Sequence, residues 1–325
     1  MGASGQTVFT LDDLAAWNQP GEHLAVLGHP IAHSLSPRMH NAALAAMSAS
    51  NPRYRDWRYH CFDIPPADLP GALALFHKKK FRGLNLTAPH KTIAFDNIAS
   101  VADGARPVGA VNTLAWTPQG WHGSNTDGHG LATAIRETLG LGLAGAHILL
   151  LGAGGAARAA AVECLRRRCA SLAIANRTRA NLDTLLGQLR PPAGGIPLNF
   201  DCGLWIADCG LAEAGGSSRP AEVRAFAIRD SQPAIIINAT SAGLRLGDPS
   251  PIDLAAFPPA ARPLAVFDMI YNPPQTPLLA QAAALGIPRS NGLPMLLHQG
   301  ALALETWTGE KVPVAVMQKS LLAET

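Results

Sequence analysis

The 325-residue chain predicts an α/β fold in two domains, on three observations. Short apolar runs alternate with helix-length stretches, the pattern of βα units and of a mainly parallel sheet covered on both faces. One stretch, His147–Thr178, reads as strand, tight glycine turn, Ala-rich helix and second strand. Two later runs, Ile235–Asn238 and Leu264–Asp268, are apolar without interruption, as buried parallel strands are. The expectation is an N-terminal mainly parallel-sheet substrate domain, residues 1–126, and a Rossmann-type dinucleotide-binding domain, residues 127–291. The C-terminal segment, 292–325, is expected to return as a helix to the first domain.

Each element has its own signal. Residues 1–9 read as a frayed tail, and Thr10-Leu-Asp-Asp13 as the capped start of a short helix. His23–Leu27 is a strand leading to a helix from Ser36, where Ser36 before Pro37 suits an N-cap. Tyr54–Phe62 leads to a helix over Pro66–Lys79, and Gly83–Leu86 to a helix after Pro89. Val108–Trp116 is a strand or hairpin ending at the Pro118-Gln-Gly120 turn. A helix from Asp127 to about Leu139 carries Leu131, Ile135 and Leu139 on one stripe. Residues 190–232, rich in Gly, Pro and Ser, read as an expanded connection with at most one strand and one helix.

Composition narrows the function. Hydrophobic residues make up 48% of the chain and charged residues only 15%, the balance of a well-packed enzyme. A net charge of +3 is too slight to argue for nucleic acid or an anionic membrane, and the run His77-Lys-Lys-Lys-Phe-Arg82 reads as a solvated helix end. No apolar run is long enough to span a bilayer. The cysteines Cys61, Cys164, Cys169, Cys202 and Cys209 are odd in number and form no C-x-x-C pair. They fit buried thiols in a reducing compartment, so a cytoplasmic protein without a metal site is expected.

The glycine turn carries the first chemical expectation. After Leu151, Gly152-Ala153-Gly154-Gly155-Ala156-Ala157 places bare backbone and a helix N-terminus where a dinucleotide pyrophosphate needs them. The second strand ends at Asn176, 24 residues after Gly152. A site that prefers NAD would put Asp or Glu there for the ribose 2′-hydroxyl. This chain has Asn176-Arg177-Thr178-Arg179 instead. A carboxylate would repel a 2′-phosphate and a guanidinium offers it paired donors, so NADP is the expected cofactor.

Four polar clusters fall at the ends of first-domain strands, where open α/β sheets present ligand sites. Ser34 and Ser36 stand at one helix mouth. In Gly83-Leu-Asn85-Leu-Thr87-Ala-Pro89-His-Lys91, Asn85 and Thr87 point to one side of a strand. Lys91 then occupies a first helical turn, where the dipole disfavours a cation. Asn112 is an amide in an apolar run that needs a partner if buried. Asp127 could be a plain helix cap. Together they offer hydroxyls, amides, one ammonium and one carboxylate around a gap between two domains, an inventory for a small polyhydroxylated substrate. With NADP opposite, the chemistry is hydride exchange at a secondary alcohol or its ketone, Lys91 being the leading candidate to move the hydroxyl proton and Asp127 either orienting it or binding an adjacent hydroxyl.

The segments SLSPRMHNAAL, GLNLTAPHK, GAVNT, NTDGHG, LGAGGAARA, NRT, NATSAG, DMIYNPPQTPLL and NGLPMLLHQGA, in this order, resemble those of the shikimate dehydrogenase family from about residue 23 to the C-terminus. The resemblance implies NADP⁺-dependent oxidation of shikimate to 3-dehydroshikimate by a monomer or homodimer. It implies that Ser34, Ser36 and Tyr271 hold the substrate carboxylate, and that Asn85, Thr87, Asn112 and Gln299 bind hydroxyls or carboxylate. Lys91 and Asp127 would be the catalytic pair, and Gly152–Ala157 would take the pyrophosphate. Asn176, Arg177, Thr178 and Arg179 would face the 2′-phosphate. Thr240, Ser241, Met269, Gly292 and Met295 would line the ribose and nicotinamide side. The extension over 1–22, the long 190–232 connection, and Leu86 and Ala88 depart from the family's usual pattern. Rival readings are a quinate/shikimate dehydrogenase, against which Ser36 and Arg177 argue, and a non-catalytic NADP-responsive regulator, against which Lys91 and Asp127 argue.

Overall fold

In a computed structural model, residues 6–193, 198–201, 234–257 and 259–323 are described. The chain divides into two compact units, residues 1–130 with 296–325, and residues 131–295. The first opens with β1 (Val8–Phe9) and α1 (Leu11–Ala15). The capping box expected at Thr10 is formed, Thr10 and Asp13 each bonding the other's backbone N–H. Residues 8–9 are not a frayed tail: Val8 and Phe9 pair in parallel with Cys61 and Phe62. Two residues are too few to show a period, which hid the strand.

The unit continues with β2 (Glu22–Gly28), α2 (Ser36–Ser50), β3 (Trp57–Asp63), α3 (Leu69–Lys78), β4 (Gly83–Leu86) and α4 (His90–Phe95). Tyr54 belongs to a 3-10 turn, Pro52–Tyr54, rather than to the strand expected from it. Then come β5 (Ser100–Val101), β6 (Thr113–Thr117) and β7 (Gly120–Ser124), the last two a hairpin about the expected turn. The seven strands lie in the order β1-β3-β2-β4-β6-β7-β5. The β1, β3, β2 and β4 pairings are parallel, while β6 runs antiparallel to both β4 and β7. Phe62, Phe76, Phe81, Leu27, Leu84 and Leu114 fill the core on one side.

The helix α5 (Asp127–Leu139) contains the boundary between the units. The second unit is β8 (His147–Leu151), α6 (Gly155–Arg166), β9 (Ser171–Ala175), α7 (Arg179–Ala193), β10 (Leu198–Asp201), β11 (Ile235–Asn238), β12 (Ala265–Asp268), α8 (Pro277–Ala284) and β13 (Arg289–Ser290). All six described strands are parallel, in the order β10-β9-β8-β11-β12-β13. Counting from β8, that is 3-2-1-4-5-6, the order of dinucleotide-binding sheets with its reversal between β8 and β11. Most of the 190–232 connection lies outside the described residues, as do Cys202 and Cys209.

Finally α9 (Leu293–Thr308) and α10 (Val314–Leu322) complete the first unit from Leu296 onward. Trp307 of α9 covers the start of β4: a Cβ on Gly83 would lie 2.1 Å from its indole nitrogen. That nitrogen donates to the Leu114 carbonyl oxygen at 2.9 Å. The second helix, α10, packs against α2.

Candidate active site

The centre of the first unit is an ion pair. Lys91 Nζ donates to Asp127 Oδ2 at 2.6 Å, with side chains only 16% and 4% exposed. Lys91 is the second residue of α4, delivered by the turn after β4, and its carbonyl oxygen accepts from Val111 N–H. Asp127 is the first residue of α5. The capping role is not what its carboxylate does. Lys91 takes one oxygen, and Asn112 Nδ2 donates to the other at 2.7 Å.

Asn112 is the hub. It is 1% exposed, just before β6, and its Oδ1 accepts from the Thr126 backbone N–H at 2.8 Å and from Thr113 Oγ1 at 3.0 Å. Its Nδ2 also reaches Thr126 Oγ1 at 2.9 Å and Gln299 Oε1 at 3.2 Å. Asn85 joins from β4, donating to the Asn112 carbonyl oxygen and to Thr113 Oγ1. Lys91, Asp127, Asn112, Asn85 and Gln299 therefore form one connected network. Thr113, Thr126 and Tyr59 belong to it too. The two threonines lie inside motifs already singled out, GAVNT and NTDGHG, and only their burial was invisible in sequence.

The serines reverse their expected duties. Ser36 is not the N-cap of α2; it is the first helical residue and makes no side-chain cap bond. Ser34 Oγ accepts from the Ser36 N–H at 3.3 Å, a local turn that starts the helix. Leu35 already has helical angles, φ −85° and ψ −5°, which moves the helix start one residue back from where Pro37 suggested. Ser36 is buried and Ser34 partly so. Thr87 is partly buried at the end of β4, its methyl turned toward Gly28.

In the second unit the expected cofactor residues lie at the C-terminal ends of adjacent strands. Gly152 follows β8 at φ +114°, and a Cβ there would stand 3.0 Å from the Ala239 carbonyl oxygen. Gly154 has open space where its Cβ would be and is the N-cap of α6, which begins at Gly155. Ala153 and Ala157 are buried. Asn176 follows β9, and Arg177, Thr178 and Arg179 are exposed. Arg179 pairs with Asp183 at 2.9 Å, both side chains more than half exposed. Thr240 follows β11 with its hydroxyl on Asn238 Oδ1 at 2.7 Å, beside exposed Ser241. Asn238 in turn donates to Asp268, whose carboxylate also holds the Thr276 hydroxyl at 2.6 Å. Burial raises the Asp268 pKa against those bonds. Met269 and Tyr271 follow β12, Gly292 N–H donates to the Ile270 carbonyl oxygen, and Met295 is buried.

A parallel sheet reversing between β8 and β11, a bare-backbone turn and a helix N-terminus at that point fit a dinucleotide. Among the described residues no three His, Cys, Asp or Glu side chains gather as a metal site needs, and no helix is long and apolar enough to cross a membrane.

This arrangement is that of a two-unit dinucleotide-dependent oxidoreductase. Comparison with known proteins narrows the class. Residues 26–114 match the shikimate dehydrogenase substrate-binding domain, and residues 292–322 match the shikimate 5′-dehydrogenase C-terminal domain. The NADP⁺ shikimate dehydrogenase of Geobacter metallireducens is 38% identical over 300 residues, 92% of this chain and 96% of the relative. A crystal structure of a shikimate dehydrogenase with NADP⁺ superposes with a TM-score of 0.75 at 28% identity, covering 93% and 95% of the two chains. The Thermus thermophilus enzyme, solved with NADP(H) and shikimate, gives 0.72 at 32% identity, covering 92% and 98%. The chain belongs to the shikimate dehydrogenase family.

Proposed function

We propose that this protein is an NADP-dependent oxidoreductase that interconverts shikimate and 3-dehydroshikimate by hydride transfer, with Lys91 and Asp127 as its catalytic pair. The observation that carries the proposal is the 2.6 Å contact between these two side chains, both mostly buried, in a chain related over 92% of its length to an NADP⁺ shikimate dehydrogenase. Residues 152–157, Arg177 and the loops carrying Thr240, Ser241, Met269, Gly292 and Met295 would hold NADP. When bound, NADPH supplies the hydride for ketone reduction and NADP⁺ accepts it in the reverse direction.

The chain's own residues handle the proton. In the reducing direction the Lys91 ammonium donates a proton to the oxygen that becomes the alcohol, and Asp127 holds Nζ in place and balances its charge. Asn112 fixes Asp127 through the other carboxylate oxygen, so the pair has one geometry. Ser34, Ser36, Thr87, Gln299 and Tyr271 supply hydroxyl and amide groups for the substrate's carboxylate and hydroxyls. The free, buried thiols of the described cysteines Cys61, Cys164 and Cys169 support a cytoplasmic location; the enzyme is expected to work as a monomer or homodimer.

The test is a rise in absorbance at 340 nm on mixing the protein with shikimate and NADP⁺, repeated with quinate and with NAD⁺. Shikimate-dependent NADPH formation is the expected result, weaker with quinate and with NAD⁺. No reaction with shikimate and either cofactor would overturn the proposal.

A further inference from the structure

Tyr59 lies in the middle of β3, 2% exposed. Its hydroxyl meets Asn85 Oδ1 at 2.7 Å. Chemistry forces the direction of that bond. The amide of Asn85 has an oxygen on one side and an NH₂ on the other. One side faces the Asn112 carbonyl oxygen at 3.1 Å, and a carbonyl can only accept. Turning the amide over would set oxygen against oxygen. The NH₂ therefore faces Asn112 and Thr113, the amide oxygen faces Tyr59, and the phenol must donate. Burial holds that phenol well above its ordinary pKa of 10.0 against the opposing pull of the Ser36 hydroxyl, so it keeps its proton.

The ring itself is clamped. The His40 imidazole stacks on it with centroids 4.0 Å apart and planes 8° from parallel. The two His40 nitrogens face the Ser36 and Gly300 carbonyl oxygens at 2.9 and 3.2 Å. Tyr59 thus ties β4 to α2, where the Asn41 amide also bonds its backbone N–H and carbonyl oxygen, and to α9 through His40.

We infer that Tyr59 is a positioning residue for substrate recognition: it locks the Asn85 amide with both hydrogens turned into the protein. Asn85 then has no donor left and meets a ligand only as an acceptor. The group it recognises is a hydroxyl, and a carbonyl or ether oxygen at the same place finds no partner. When Ser36 turns its proton toward a ligand carboxylate, the donation from Tyr59 to Asn85 stays intact, so the lock does not depend on the state of Ser36.

Two measurements test this, and only the second rests on the proposed reaction. With ¹⁵N-labelled asparagine, the Asn85 side-chain NH₂ should be protected from hydrogen exchange in the wild-type protein, and Tyr59→Phe should speed its exchange by about three- to tenfold. Exchange as fast as at exposed asparagines in the wild type, or unchanged in the variant, would overturn the lock. In shikimate oxidation, Tyr59→Phe should lower kcat/KM by about three- to tenfold, mainly through KM for shikimate, with KM for NADP⁺ unmoved. On an Asn85→Ala background the same substitution should change kcat/KM less than about twofold, because its target is gone. Losses that multiply in the double variant would show a general structural role and defeat the inference. A wild-type protein inert toward shikimate would refute the reaction, and the exchange result would still judge the lock.

Discussion

Lys91 stands in the first turn of α4, where the backbone dipole disfavours a cation, and Asp127 holds it there from another element. Such a misfit is kept for use. Lys91→Ala should lower kcat by ~10²–10⁴-fold with NADPH affinity near wild type by fluorescence titration. A folded variant retaining more than about a tenth of wild-type turnover would assign the proton to another group. Asp127→Asn keeps the bond from Asn112 to Oδ1 and removes the charge facing Nζ, so turnover should fall with little change in Tm. In the second unit, Arg177→Ala should raise KM for NADP⁺ by roughly 10- to 100-fold, the worth of a charge-assisted phosphate contact, and leave NAD⁺ nearly untouched. Equal losses with both cofactors would make Arg177 a residue of the fold. Lys91 was readable in sequence because it breaks a local rule. Tyr59 was not, because an aromatic in an alternating strand reads as core, and its hydroxyl's partner is 26 residues away.

At the mouth of α2 the two serines separate stability from binding. Ser34 starts the helix through its bond to the Ser36 N–H, whereas Ser36 caps nothing. Ser34→Ala should therefore cost ~0.5–1 kcal/mol in urea denaturation as well as raising KM for shikimate. Ser36→Ala should raise KM with the smaller loss of stability, the opposite of what Pro37 at the first turn suggested. If Ser36→Ala proves the more destabilising, the hydroxyl contact with Tyr59 outweighs the turn. Strands β2, β8, β9, β11 and β12 were readable because a continuous apolar run bounded by Gly, Pro or Asn suits little besides a buried strand. The edge strand β1 and the helix α10 were not: one is two residues long, and the other is too weakly patterned to stand out without α2 beside it.

Buried histidines give the first unit a pH dependence. His40 and His60 each have their pKa lowered to about 4, chiefly by burial. An unfolded histidine titrates near ~6.5, so as pH falls below that value the unfolded chain binds protons that the folded one refuses. Stability is therefore present in full above about pH 6.5 and declines toward pH 4, His40 alone contributing up to about 1.4 kcal/mol per pH unit. Urea midpoints should drop between pH 7.5 and 5.0, and His40→Gln should flatten the decline. An unchanged wild-type midpoint would mean that water reaches these rings. The seat of Trp307 on Gly83 has a consequence for the order in which the molecule can be made. The sheet of residues 8–124 emerges from the ribosome first, yet the indole that covers β4 and the carbonyl of Gly300 that faces His40 arrive only with residues 296–325. The second unit, lying wholly between them in sequence, is complete before the first can close. Birth order and closing order run in opposite directions, and a chain truncated after residue 295 and released from the ribosome would hold a finished second unit and a first one still open to proteases.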